Sequence, residues 1–295
     1  RTTPAPTNRC IAVFGTKGGV GKTVVATNLA VSLAQRLRKP VCLVDLDIVA
    51  PGDMAKMLRA VPEHTVVECA GRLKRAESPE AFSLDGLVIP HPSGVHMVAC
   101  VNHPKDARAL DGETLQALFR VLRARYEYVL IDTGKGLTDP LLVAFEQANL
   151  ILLVTTPDIL SLYQTKWAME LVQSFLLPPN LVRAVINRAE SRGGVGYEDV
   201  RLALPCEIIG HIPSDGRAMG VAVNQGSPVV TLYGMSKIAE GFRKLADTLV
   251  QTPSLYLSHL DHPRLRDRQE AGQADRLLPG ASQLYRLYGQ DGQDA

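Results

Sequence analysis

Gly15-Thr16-Lys17-Gly18-Gly19-Val20-Gly21-Lys22-Thr23 lies between an apolar run, Ile11 to Phe14, and a segment of helical spacing that begins near Lys22. Strand, glycine-rich turn and helix in that order predict a phosphate-binding loop. Closely approaching backbone N–H groups hold a triphosphate, and side chains at Gly18, Gly19 and Gly21 would block that approach. The helix N-terminus adds its positive end. The full G-x-x-x-x-G-K-T spacing expects contacts from Gly18, Gly19, Val20, Gly21, Lys22, Thr23 and Val24. Lys22 reaches the β- and γ-phosphates and the Thr23 hydroxyl ligates Mg²⁺, so ATP or ADP with Mg²⁺ is the expected cofactor set.

Downstream, Val24 to Arg38 carries Ala26, Ala30, Leu33 and Leu37 at helical spacing, and Pro40 stops it. Val41 to Val44 reads as a buried strand that ends in Asp45-Leu46-Asp47. Carboxylates at the C-terminal edge of a strand sit where open α/β sheets gather ligands. Tyr126 to Ile131 leads in the same way to Asp132, which expects a place in the Mg²⁺ shell. Further strands are expected at Gly94 to Cys100, Leu150 to Val154, Leu181 to Ile186 and around Ile208. The fold class is therefore α/β, a mostly parallel central sheet with helices on both faces. Trp167, the single tryptophan, is expected against that sheet, and His211 is read as structural.

The chain has 295 residues, 46% of them hydrophobic, enough for one large core plus tails. Residues 1–8 read as a Thr/Pro-rich linker from a longer polypeptide, 9–250 as the nucleotide-binding domain, and 251–295 as a polar tail for partner docking or disorder. A net charge of +2 gives no global field favouring nucleic acid or an anionic membrane. No apolar run approaches the length of a membrane span. Cys10, Cys42, Cys69, Cys100 and Cys206 form no C-x-x-C pair, which disfavours an iron–sulfur carrier and suits core residues in a reducing cytoplasm.

Lys17 sets the loop apart, because an ordinary phosphate-binding loop has no particular residue there. The K-G-G-x-G-K-T form resembles the deviant Walker A motif of the MinD/ParA family of P-loop ATPases, over about Cys10 to Val250. That resemblance implies a homodimer with ATP sandwiched between subunits, Lys17 reaching the partner's nucleotide and Asp47 orienting the attacking water. It assigns Asp45 a supporting place near Mg²⁺. It further implies adenine contacts from Asn187-Arg188 and from the turn Pro213-Ser214-Asp215, and a switch loop at Thr133 to Leu137 in which Lys135 faces solvent or the partner.

Asp45-Leu46-Asp47 with Gly52-Asp53, His91 to His96, Arg192-Gly193-Gly194 with Glu198-Asp199, and Ile212 to Asp215 followed by Asn224-Gln225-Gly226 look, in that order, like the CpaE/TadZ branch. This implies partners in a pilus-assembly or secretion system and recruitment to the cell pole. Two other readings stand beside it: a ParA-like partition protein binding nonspecific DNA, with a steep salt dependence, and a nonhydrolysing scaffold. The intact Lys17, Lys22, Asp47 and Asp132 weigh against the scaffold.

Overall fold

The computed structural model describes residues 8–134, 138–174, 177–191 and 193–257. The first half runs β1 (Arg9–Phe14), α1 (Lys22–Leu37), β2 (Val41–Asp45), α2 (Asp53–Met57), α3 (Val66–Lys74), β3 (Val88–Pro90), β4 (Val95–Ala99), α4 (Gly112–Arg125) and β5 (Tyr128–Asp132). The second half runs α5 (Asp139–Gln147), β6 (Leu150–Thr155), α6 (Ile159–Ser174), β7 (Val182–Asn187), α7 (Tyr197–Ala203), β8 (Ile208–Ile212), α8 (Gly216–Asn224), α9 (Val229–Leu232) and α10 (Lys237–Gln251).

The eight strands form one sheet in the order β3-β4-β2-β5-β1-β6-β7-β8, parallel except for the antiparallel edge strand β3. The expected class is therefore what the chain adopts. Alternation along buried strands feeds two cores. Ile11 and Val13 of β1, Leu130 of β5 and Leu152 of β6 face α1 and α10. Cys10, Val129 and Ile131 face α3 and α4, while Ala12, Phe14, Ile151 and Leu153 face α5 and α6. Four of the cysteines are buried and all five are free thiols.

β1 is the switch point of the sheet: β5 pairs on one side and β6 on the other. The crevice beyond its C-terminal end is where a doubly wound sheet binds ligands, and the glycine-rich loop leaves β1 there.

Several expectations change. Between Pro62 and Pro92, where the sequence has no clear periodicity, the chain folds α3 and β3; α3 opens with a capping box in which the Thr65 hydroxyl accepts from Glu68 N–H and Glu68 returns a bond to Thr65 N–H. Trp167 is 54% exposed, on the side of α6 away from the sheet, because Leu162, Thr165, Ala168, Met169 and Val172 supply the buried stripe. Asn8 is buried, with its amide donating to Tyr126 O and its carbonyl accepting from Arg123 Nε. At the other end, packing continues past Gln251. Tyr256 donates to Leu249 O, Arg9 lies over the rings of Tyr128 and Tyr256, and Leu257 exchanges hydrogen bonds with Asn149. The remaining tail, Lys135 and Arg192 lie outside the described residues. No helix among the described residues is long and apolar enough to cross a membrane.

Candidate nucleotide site

The loop from Gly15 to Gly21 turns tightly out of β1 and delivers the chain into α1 with Gly21 as N-cap, at φ 91. Gly18 and Gly19 are exposed at its tip, Val20 and Lys22 are buried, and Thr23 and Val24 are half-buried in the first turn of α1. A Cβ on Gly21 would stand 2.5 Å from Asn187 Nδ2, so the conformation and the close approach both call for glycine there.

Asp45, Asp47 and Asp132 lie near enough beside the loop to feel one another's charge. β2 and β5 are neighbours and place Asp45 opposite Asp132 in register. Burial, then the charges of Asp132 and Asp47, push the Asp45 carboxyl up to about 7, against the lowering effect of the Asp47 and Gly52 N–H groups. Burial likewise pushes Asp132 up to about 6, although the Thr23 hydroxyl, the Gly134 N–H and the Lys22 ammonium pull it down. Asp132 is fully buried and its Oδ2 makes no hydrogen bond among the described residues.

An unpartnered buried carboxylate oxygen beside a threonine hydroxyl fits a hard cation. Among the described residues no three His, Cys, Asp or Glu side chains converge as an all-protein metal site. Thr23 and Asp132 would hold Mg²⁺ with few protein ligands, since this ion keeps water and phosphate oxygens in its shell.

Asp47 Oδ1 accepts from Val49 and Ala50 N–H, which orders the turn after β2. Gly134 closes on the same residue. At φ 66, a Cβ there would meet Asp47 Cα at 2.6 Å.

Lys17 lies at the rim. Its Nζ is 2.8 Å from Asp158 Oδ1, at the start of α6. The Thr156 and Ser161 hydroxyls bond Asp158 Oδ2 at 2.6 and 2.7 Å, and Ser161 N–H bonds Oδ1. Burial works to raise Asp158, yet Lys17 and those three donors hold it well below the usual carboxylate range. Asp158 is a site residue the sequence reading did not assign. The signal was present in Thr155-Thr156-Pro157-Asp158 at the end of β6, where a cap and a functional carboxylate look alike.

Asn187 and Arg188 end β7 beside the loop, but their hydrogen bonds go to its backbone: Asn187 Nδ2 to Val20 O at 2.7 Å and Arg188 Nη2 to Gly19 O at 3.2 Å. Pro213 packs beside Gly241, Ser214 is exposed, and Asp215 caps α8 by accepting from Ala218 N–H.

The ParA family, described as a NUBPL iron-transfer P-loop NTPase family, matches residues 7–250. The septum site-determining protein MinD of Thermotoga maritima is 28% identical over 243 residues, 80% of this chain and 86% of that protein. Among solved structures, a ParA family ATPase from Chlorobium tepidum superposes with a TM-score of 0.73 at 20% identity, covering 82% of this chain and 98% of that one. MinD from Pyrococcus horikoshii, solved with Mg-ADP, gives 0.68 at 24% identity, over 82% and 96%. The loop with its early lysine, the two carboxylate-bearing strands beside it and these matches together place the chain in the ParA/MinD family of P-loop NTPases.

Proposed function

We propose that the chain is a Mg²⁺-dependent ATPase that dimerises around ATP, hydrolyses it slowly to ADP and phosphate, and thereby switches a partner assembly on and off. The observation that carries this reading is the position of Lys17. Its side chain leaves its own loop, stays 31% exposed and, among the described residues, is held by a surface ion pair to Asp158. An exposed pair of this kind is worth about 1 kcal/mol or less, so it releases readily to a stronger anion such as a phosphate on a second copy.

Hydrolysis of a phosphoanhydride needs positioning and charge neutralisation more than covalent chemistry. The loop N–H groups and Lys22 hold the phosphates, and Thr23 and Asp132 hold Mg²⁺, with Asp45 behind them. When bound, Mg²⁺ neutralises charge on the phosphate oxygens. Asp47 positions the water that attacks the γ-phosphorus, and Lys17 from the second subunit stabilises charge on the transferring group. Arrival of Lys17 in trans couples hydrolysis to dimerisation. The partner assembly we assign to a pilus, secretion or other cell-pole system, on the ordered CpaE/TadZ-like stretches of the sequence.

The test is light scattering with ATP and with ADP, on wild type and Asp47→Ala, with phosphate release followed in parallel. Dimers are expected with ATP only, and they should persist in Asp47→Ala as phosphate release stops. A mass indifferent to nucleotide would overturn the reading in favour of a scaffold.

A further inference from the structure

Two adjacent residues at the end of β7 bond two adjacent carbonyls of the phosphate-binding loop. Asn187 is buried, donates to Val20 O and accepts from Arg188 N–H at 3.0 Å. Arg188 reaches Gly19 O, and its backbone has φ 55, a left-handed value that a non-glycine residue adopts only when its surroundings impose it. Those surroundings are visible. The Arg188 carbonyl accepts from both the N–H and the hydroxyl of Ser191, and Ala189 N–H bonds Ile212 O on β8. The strand end is thus fixed by its own loop and by the neighbouring strand before it touches the glycine-rich loop.

Backbone N–H groups of a loop converge on an anion only if the carbonyls between them point elsewhere. Gly19 and Gly21, at φ 79 and 91, provide that alternation. It turns the Gly19 and Val20 carbonyls towards β7, where each meets a donor. We propose that Asn187 and Arg188 are positioning residues for phosphate binding: they fix the outward carbonyls and so pre-aim the loop N–H groups, whatever base the nucleotide carries. This differs from the adenine-reading role implied by the sequence resemblance, and it rests on the nucleotide-binding reading above. It also gives Gly21 its reason, since Asn187 Nδ2 occupies the place of a Cβ.

Dissociation constants for Mg-ATP, Mg-GTP and Mg-tripolyphosphate, measured by calorimetry on wild type, Asn187→Ala, Arg188→Ala and Arg188→Lys, decide the matter. Arg188→Ala is expected to weaken all three ligands by a common factor of about 5, with Asn187→Ala losing more and Arg188→Lys recovering part of the loss. The exposed Arg188 variants keep the comparison valid should the buried Asn187 variant fold poorly. A loss confined to ATP, with GTP and tripolyphosphate unchanged, would make the pair base readers and overturn the proposal, as would unchanged affinities for all three. A wild type that takes up none of the ligands would instead end the nucleotide-binding reading itself.

Discussion

The Lys17 ammonium, proposed above to reach the nucleotide of a second subunit, is bonded to Asp158 of its own chain, 2.8 Å away. Charge removal at Asp158 should therefore favour the dimer. Asp158→Asn keeps an oxygen to accept from Ser161 N–H and loses the charge that attracts Lys17, while its amide NH₂ replaces Oδ2 and requires the Thr156 and Ser161 hydroxyls to turn from donors to acceptors. Sedimentation with ATP is expected to give a dimer up to about 30-fold tighter than wild type, since each of the two subunits gives up one exposed ion pair worth at most about 1 kcal/mol. Lys17→Ala should bind ATP as wild type does and remain monomeric. A weaker dimer in Asp158→Asn would make the pair part of the interface instead.

Gly134 has no room for a side chain over Asp47. Alanine there incurs about 1 kcal/mol of left-handed strain and must displace the residue assigned to the attacking water. Phosphate release in Gly134→Ala is expected to fall at least about 10-fold, while ATP affinity, set by the loop from Gly15 to Thr23, changes little. Wild-type turnover in this variant would remove Asp47 from the reaction.

The carboxylate pair makes stability pH-dependent. Asp45 and Asp132 have an ordinary value of 3.8, but folding raises them to about 7 and about 6. Between those limits the folded state holds protons that the unfolded chain has released, so stability is greatest at the acid end and falls as pH rises through 6 to 7. Without nucleotide, this pair should lower the thermal midpoint at pH 8 relative to pH 5.5 by about 5 °C, against the opposite drift from His91, His96 and His211, which burial holds below the ordinary imidazole value, so the effect is read as the difference between wild type and Asp45→Asn. Asp45→Asn should flatten that slope. Mg-ADP should reverse it, because the cation binds the ionised carboxylates.

The segment after α10 is an integral part of the core. Tyr256 packs edge to face with Tyr128 at 6.4 Å between ring centroids, beneath the Arg9 guanidinium. Tyr256→Ala is expected to destabilise the chain by about 3 kcal/mol in urea unfolding without altering ATP affinity, since it lies at the opposite end of β1 from the loop. A loss below about 0.5 kcal/mol would detach this segment from the fold.

Lys22→Ala should weaken ATP binding at least about 10-fold, because the buried ammonium proposed to hold the phosphates is a charge-assisted donor. Equilibrium dialysis checks it, and retained affinity would shift the phosphate contact to another residue.

Most of the strands along the chain, the helix after the glycine-rich loop and the carboxylates at two strand ends were legible in the sequence because each is written locally. Buried parallel strands are continuous apolar runs, and a phosphate loop has a fixed spacing. The segment from Pro62 to Pro92 was not legible, since α3 is short and β3 is an edge strand of three residues defined by its pairing with β4. Trp167 was misplaced because α6 carries large apolar side chains on its exposed side, Ile159, Leu160, Tyr163 and Trp167, as well as on its buried one, and only packing chooses which stripe faces the sheet. What the sequence by itself determined is the chemistry on offer: Lys17, Lys22, Thr23, Asp47 and Asp132 on a doubly wound frame. Tertiary structure alone decided how it is held. Lys17 is latched to Asp158 across 141 residues, and Asn187 and Arg188 reach back 167 and 169 residues to the loop carbonyls. Contacts between distant strand ends depend on the order of strands in the sheet, and no local spacing encodes them.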